Sequence, residues 1–213
     1  MKYPIGIQSF EKIIENDYVY VDKTDLIYSM VKGGTIYFLS RPRRFGKSLL
    51  VSTLKNYFLG RKELFKGLAI DVLEKDWLTY PVFHIDFNGS DFQEKGTLEK
   101  VIEEYISTWE VAYGILPNPD RDRGMRFIQV LKEAHVRAGR RAVVLIDEYD
   151  KPLLRSMHNP ELQDKFREML TAFYTVLKSA DPWLRFVFIT GVTKFAQMGI
   201  FSTLNQLIDI SFD

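Results

Sequence analysis

The chain has 213 residues, 46% of them hydrophobic and 14% aromatic, enough to fill the core of one α/β domain or a slightly larger single unit. Lys and Arg total 29 against 28 Asp and Glu, a formal net charge of +1, so no overall field argues for nucleic acid or an anionic membrane as a partner. The lack of cysteine excludes disulfides and thiolate metal sites and suits a cytoplasmic setting, while no apolar run nears the ~20 residues of a membrane-spanning helix and MKYPIGIQSF lacks a signal peptide's apolar stretch.

Residues 1–34 read as an N-terminal segment, helical in pattern at both ends with a short YVYVD run between, that packs on one edge of a sheet. Residues 35–213 read as the core. Its first strand is TIYFLS (35–40), followed by the turn SRPRRFGKS and a helix over 47–59. PVFHIDF (81–87) is the second strand, and helices are expected at 97–113 and 124–138, separated by the polar loop PNPDRDRG. AVVLIDE (142–148) is the third strand, 160–179 the next helix and RFVFIT (185–190) the fourth strand. Short β-rich runs bounded by turn residues and alternating with amphipathic helices imply a mainly parallel sheet in a three-layer α/β sandwich. Such sheets bind ligands at the carboxyl ends of their strands, which draws attention to Ser40 onward, Asp86 to Asn88, Asp147-Glu148 and Thr190 to Thr193.

The segment RPRRFGKS fits the phosphate-binding loop pattern with one departure: Arg41 stands where the first glycine belongs, while Gly46, Lys47 and Ser48 keep their places. In such a loop, amides at a helix N-terminus face phosphate oxygens, the lysine reaches the β and γ phosphates and the hydroxyl binds Mg²⁺. The first glycine eases the turn out of the strand; the second lets the backbone approach the phosphates. The nucleotide-contacting set is then Arg43, Arg44, Phe45, Gly46, Lys47, Ser48 and Leu49. Arg41, Arg43 and Arg44 either add charge to the cradle or face solvent.

VVLIDE ends a buried run in two carboxylates, which need a cation or solvent to meet them. With the loop at 41–48, Asp147 holds Mg²⁺ together with Ser48, and Glu148 accepts the proton of the attacking water. Lys47 and Glu148 are thus the expected catalytic pair. Thr190, at the tip of the next strand, orients the water or senses the γ-phosphate, with Thr193 as second choice. Asp86 lines the same crevice at most, and His84 reads as a core or edge histidine, since three scattered histidines give no metal spacing. Glu103-Glu104 reads as a solvated helix face, and Tyr105, Tyr113, Phe173 and Tyr174 as core.

IGIQSFEKIIENDYVYVDKTDLI, RPRRFGKSLL, VVLIDEYDKPLL and FITGVTKFAQMGIFSTLNQLIDIS together resemble the AAA-ATPase-like domain of bacterial proteins that often carry a PD-(D/E)XK nuclease-like domain further on. The resemblance covers essentially the whole chain, and the arginine at the first glycine position is similar to the family's usual form. It implies an ASCE-type P-loop NTPase core binding ATP and Mg²⁺, with Phe10 and Tyr20 to Lys23 near the adenine. The fifth core strand would run about where the chain stops, before a helical lid. Arg155, Arg167 and Arg185 are the candidates for a finger arginine. The expected activity is Mg²⁺-dependent ATP hydrolysis, slow in a form without the lid. The alternatives are a nucleotide-gated interaction module, or a DNA-acting module of a mobile-element or defence system that meets nucleic acid through a missing C-terminal domain; the oligomeric state is left open.

Overall fold

A computed structural model describes residues 2–194 and 207–211. The N-terminal segment forms α1 (Phe10–Glu15) and α2 (Thr24–Gly33). The core follows as β1 (Ile36–Ser40), α3 (Lys47–Phe58), α4 (Ala69–Leu73), β2 (Val82–Asp86), α5 (Thr97–Ala112), α6 (Arg123–Ala138) and β3 (Ala142–Asp147). Then come α7 (Lys151–Arg155), α8 (Pro160–Ser179), β4 (Leu184–Gly191) and β5 (Leu207–Asp209). The helix ends carry their own punctuation: Ser9, Asp122 and Asn159 accept hydrogen bonds from Lys12, Met125 and Leu162 amides, and Gly139 closes α6 at φ 62°.

The five strands form one parallel sheet in the order β2-β3-β4-β1-β5. All six residues of β3 are buried, as befits a central strand covered on both faces, whereas edge strands β2 and β5 are only partly covered. Period-two alternation divides the central residues between two cores. Ala142, Val144, Ile146, Val187 and Ile189 pack under α5, α6 and α8. Val143, Leu145, Phe186 and Phe188 pack under α3 with Phe10, Ile27 and Val31 of the N-terminal segment. That segment was expected on a sheet edge; instead its apolar residues lie over the α3 face, because Phe10 and Ile13 are fully buried there. The YVYVD run makes no strand beyond a bridge between Lys2 and Tyr18.

The register brings the carboxyl ends level: Asp86 pairs with Asp147, Ile146 with Ile189 and Ser40 with Gly191. The fifth strand, expected near the end of the chain, is present as β5 beside β1. Residues 195–206, part of the tail that carries the family resemblance, lie outside the described residues. Among the described residues no helix is long and apolar enough to cross a membrane.

Candidate functional site

Between β1 and α3 the chain turns through residues 41–46, with Arg44 at φ 69° and Gly46 at φ 78°. At Gly46 nothing lies within 4 Å of where a Cβ would stand, so the left-handed backbone, not space, selects glycine there. Arg44 adopts the same region at a cost of about 1 kcal/mol or more, strain of the kind that collects at binding loops. Lys47 opens α3 and is 5% exposed. Its Nζ donates to the carbonyls of Arg41 (3.0 Å) and Pro42 (3.2 Å) and lies 3.7 Å from Glu148 Oε1.

Glu148 is the first residue beyond β3 and takes φ 55°, which turns its side chain out of the strand's alternation. Burial pushes its carboxyl above the ordinary carboxylate range; the Lys47 charge opposes that push, while Asp147 and Asp150 add to it. Asp147, 2% exposed, accepts the hydroxyl of fully buried Thr190 on Oδ1 at 2.5 Å, and the Glu148 amide approaches the same hydroxyl oxygen at 3.4 Å. Among the described residues, the second Asp147 oxygen and the Ser48 hydroxyl have no hydrogen-bond partner. A hard cation that keeps most of its water shell and takes one or two protein oxygens fits that donor set. No cluster of three or more His, Asp or Glu able to hold a metal occurs among the described residues.

These groups border a cleft of about 870 Å³. Its lining includes Arg43, Arg44, Lys47, Lys151 and Arg155 against one carboxylate, Glu148, with Gly46, Ser48, Leu49, Asn88 and the backbone loop at 4–8 completing it. A second cavity of about 640 Å³ adjoins it and shares Gly46 and Leu49. Tyr20, Leu26, Ile27, Met30 and Leu50 make that one largely apolar. A polyanion fits the first and a flat apolar ring the second.

The expected residues therefore divide. Arg43, Arg44, Gly46, Lys47, Ser48, Leu49 and Glu148 meet at the cleft, and Phe45, 67% exposed, stands on the apolar side. Asp147 and Thr190 are buried beside Glu148 and are not among the lining residues. Thr193, the second choice, donates both its amide and its hydroxyl to the fully buried Asp150 carboxylate, at 2.7 and 2.8 Å. Tyr20, Val21 and Lys23 line the apolar cavity, whereas Phe10 is fully buried and supports the Tyr20 ring at 5.2 Å between centroids. Asp86 caps its own turn by accepting the Asn88 amide, and burial holds His84 below the usual imidazole range, its Nε2 having no partner among the described residues. Sequence reading drew attention to Asn88 as a strand-end residue but did not find Lys151 and the 4–8 loop. The signal available for Lys151 was the proline-started turn DKPLLR directly after the acids.

A parallel sheet whose first strand runs into a Gly-Lys-Ser helix start, with another strand between it and the acid-tipped strand, defines a P-loop NTPase fold of the ASCE arrangement. The chain belongs to the AAA-ATPase-like family, described as a predicted AAA-ATPase, whose sequence profile matches residues 4–201. A protein of Azotobacter chroococcum mcd 1, described as an uncharacterized protein in the vnfD 5′ region, is 44% identical over 214 aligned positions. The match takes in 100% of this chain and 41% of that protein, so the chain spans about two fifths of its relative's length. Among solved structures, Cdc6p from Pyrobaculum aerophilum aligns with a TM-score of 0.44 and 15% identity, over 93% of this chain and 48% of that one.

Proposed function

We propose that this chain binds ATP with magnesium across the 41–48 loop and hydrolyses it, as the ATPase core (35–213) of a larger protein with residues 1–34 packed on it. The observation that carries the reading is the pairing of Lys47 with Glu148 at 3.7 Å in a cleft lined by five basic side chains. In this reading the amides of Gly46, Lys47 and Ser48 receive phosphate oxygens, helped by Arg43 and Arg44, while Lys47 bridges the β and γ phosphates. The adjoining apolar cavity takes the base, with Tyr20 and Phe45 as its aromatic walls. Ser48 and Asp147 would hold the magnesium ion, which supplies charge neutralisation on the β and γ oxygens. Thr190 fixes the Asp147 carboxylate through the hydrogen bond on Oδ1.

The reaction is water addition to the γ-phosphorus. The water oxygen bonds to phosphorus, its proton passes to Glu148, and the bond from phosphorus to the β-phosphate oxygen breaks, the electron pair leaving with ADP. To take part, Lys47 must release the carbonyls of Arg41 and Pro42 that hold it at 3.0 and 3.2 Å. That rearrangement favours a second reading, in which ATP acts as a switch on the loop and hydrolysis is incidental. Fluorescent mant-ATP titration and phosphate release for wild type, Lys47→Ala and Glu148→Gln test both. Lys47→Ala should lose binding by about 100-fold or more. Glu148→Gln should bind normally and lose turnover by about 100-fold or more. Equal binding in all three variants sinks the assignment, and a wild type that binds without single-turnover hydrolysis leaves the switch.

A further inference from the structure

The three arginines considered as finger candidates separate in space. Arg185 donates to the Val31 carbonyl at 2.7 Å from the amino end of β4, the end of the sheet opposite the cleft. Arg167 pairs with Asp164 on the exposed side of α8. Of the three, Arg155 lines the cleft that holds Lys47 and Glu148.

Its support is rigid. Arg155 is the last residue of α7, which begins three positions after Glu148 and is anchored by buried Pro152 and Leu153. The Ser156 hydroxyl closes the helix on the Pro152 carbonyl, and Gln163 of α8 donates to the Leu153 carbonyl at 3.0 Å. Lys151 stands one helical turn before Arg155, so the two share a face. Lys151 Nζ reaches the Asn88 carbonyl and side-chain oxygen, at 3.2 and 2.7 Å, and ties α7 to the tip of β2. Arg155 has no carboxylate partner among the described residues. An exposed guanidinium without a carboxylate partner, carried on an anchored helix into a cleft with four other cations, is a place for charge that arrives with a ligand.

We infer that Arg155 is a catalytic residue acting in cis, its guanidinium donating to γ-phosphate oxygens of ATP bound on the same chain, with Lys151 as the positioning residue that steadies α7. The inference rests on the nucleotide reading of this site. As water adds to phosphorus and the bond to the β-phosphate oxygen breaks, Arg155 offers two parallel N–H groups to the equatorial oxygens and keeps all its protons throughout. No arginine from a second subunit is then required for the step.

The test compares Arg155→Ala, Arg155→Lys, Arg167→Ala and Lys47→Ala with wild type, after thermal melts show each folded. Arg155→Ala should keep mant-ATP affinity within about threefold and slow single-turnover phosphate release by about 100-fold or more. Its affinity for ADP–aluminium fluoride, which resembles the transferring phosphoryl group, should fall in parallel. Arg155→Lys keeps one charge without the fork and should lie between, and Arg167→Ala should match wild type. Mixing Arg155→Ala with Lys47→Ala should restore nothing, because an arginine acting in cis cannot serve a neighbour's site. Wild-type hydrolysis and aluminium fluoride binding in Arg155→Ala would overturn the inference, and so would recovery of turnover in the mixture. Normal mant-ATP binding by Lys47→Ala would instead overturn the underlying nucleotide reading, so the two failures are told apart.

Discussion

The tightest packing near the site lies where β4 ends beneath the turn that carries Glu148. A methyl group on Gly191 would stand 2.5 Å from Tyr149 Cδ1, nearer still to Cε1, and 2.8 Å from Asp150 Oδ1. Ordinary contact begins at about 3.5 Å, so Gly191→Ala must move a fully buried ring and a fully buried carboxylate by roughly 1 Å. Overpacking on that scale costs about 1–3 kcal/mol. The displaced Asp150 carboxylate also accepts from the Val192 amide at 3.0 Å and from Thr193 at 2.7 and 2.8 Å. Weakening one such charge-assisted bond adds about 1.5–3 kcal/mol. Urea unfolding should therefore show a loss of about 2.5–6 kcal/mol, while Gly89→Ala, whose new methyl meets nothing within 4 Å, should stay within about 0.5 kcal/mol of wild type. Because Glu148 immediately precedes the displaced Tyr149, phosphate release should fall at least about tenfold, and mant-ATP affinity should change less, since Gly191 meets the 41–48 loop through the backbone bond from the Arg41 amide to its carbonyl, at 3.2 Å. An unchanged unfolding midpoint and turnover in Gly191→Ala would refute this reasoning, as would equal destabilisation by Gly89→Ala.

Three further outcomes are expected. Phe10→Ala removes a fully buried ring packed on Tyr20 and Phe65 at 5.2 and 4.8 Å; it should cost about 3–5 kcal/mol and leave a single unfolding transition, whereas an early separate transition would mean that the N-terminal segment folds apart from the core. Arg126→Met strips the partner from Glu110, whose side chain is 2% exposed, and should cost about 3–5 kcal/mol in urea unfolding; adding Glu110→Leu should recover most of it, and no recovery would contradict the unpaired-charge explanation. Burial works against the ionised forms of Glu74 and Glu103, yet Tyr57 and Lys32 in the first case and Arg126 in the second hold both carboxyls below the ordinary range. A carboxyl whose folded value is depressed adds stability above its unfolded value, ~4.3 for Glu, and loses it as pH falls through the folded value. Unfolding midpoints should thus be level from neutral pH to about 5 and drop below that; a level curve down to about pH 3 would contradict the assignment.

Much of the site was legible because its residues report local needs. Gly46 announces a left-handed backbone, Lys47 and Ser48 the start of a helix, and a run of apolar residues ending in Asp147-Glu148 a buried strand reaching a charged edge. What failed to show was long-range pairing. Glu103 looked like part of a solvated face, yet it and Glu110 receive Arg126 from a helix whose approach no local pattern encodes. Thr193 stood as second choice to Thr190, with no local sign that the turn after β3 would bring Asp150 to its amide and hydroxyl. Arg155, Arg167 and Arg185 were equal on paper, since a basic side chain carries no local mark of the end of the sheet it will reach.

The sequence by itself determined the strands, the long helices between them and the phosphate-loop signature, since apolar periodicity, caps and turn residues act over a few positions. Only the tertiary structure decided the strand order, the seating of residues 2–33 over the α3 face and the convergence of Lys47, Glu148, Lys151 and Arg155 on one cleft. Those contacts join positions up to 171 residues apart, as Ile36 beside Leu207, and their choice depends on how whole layers bury their faces against each other.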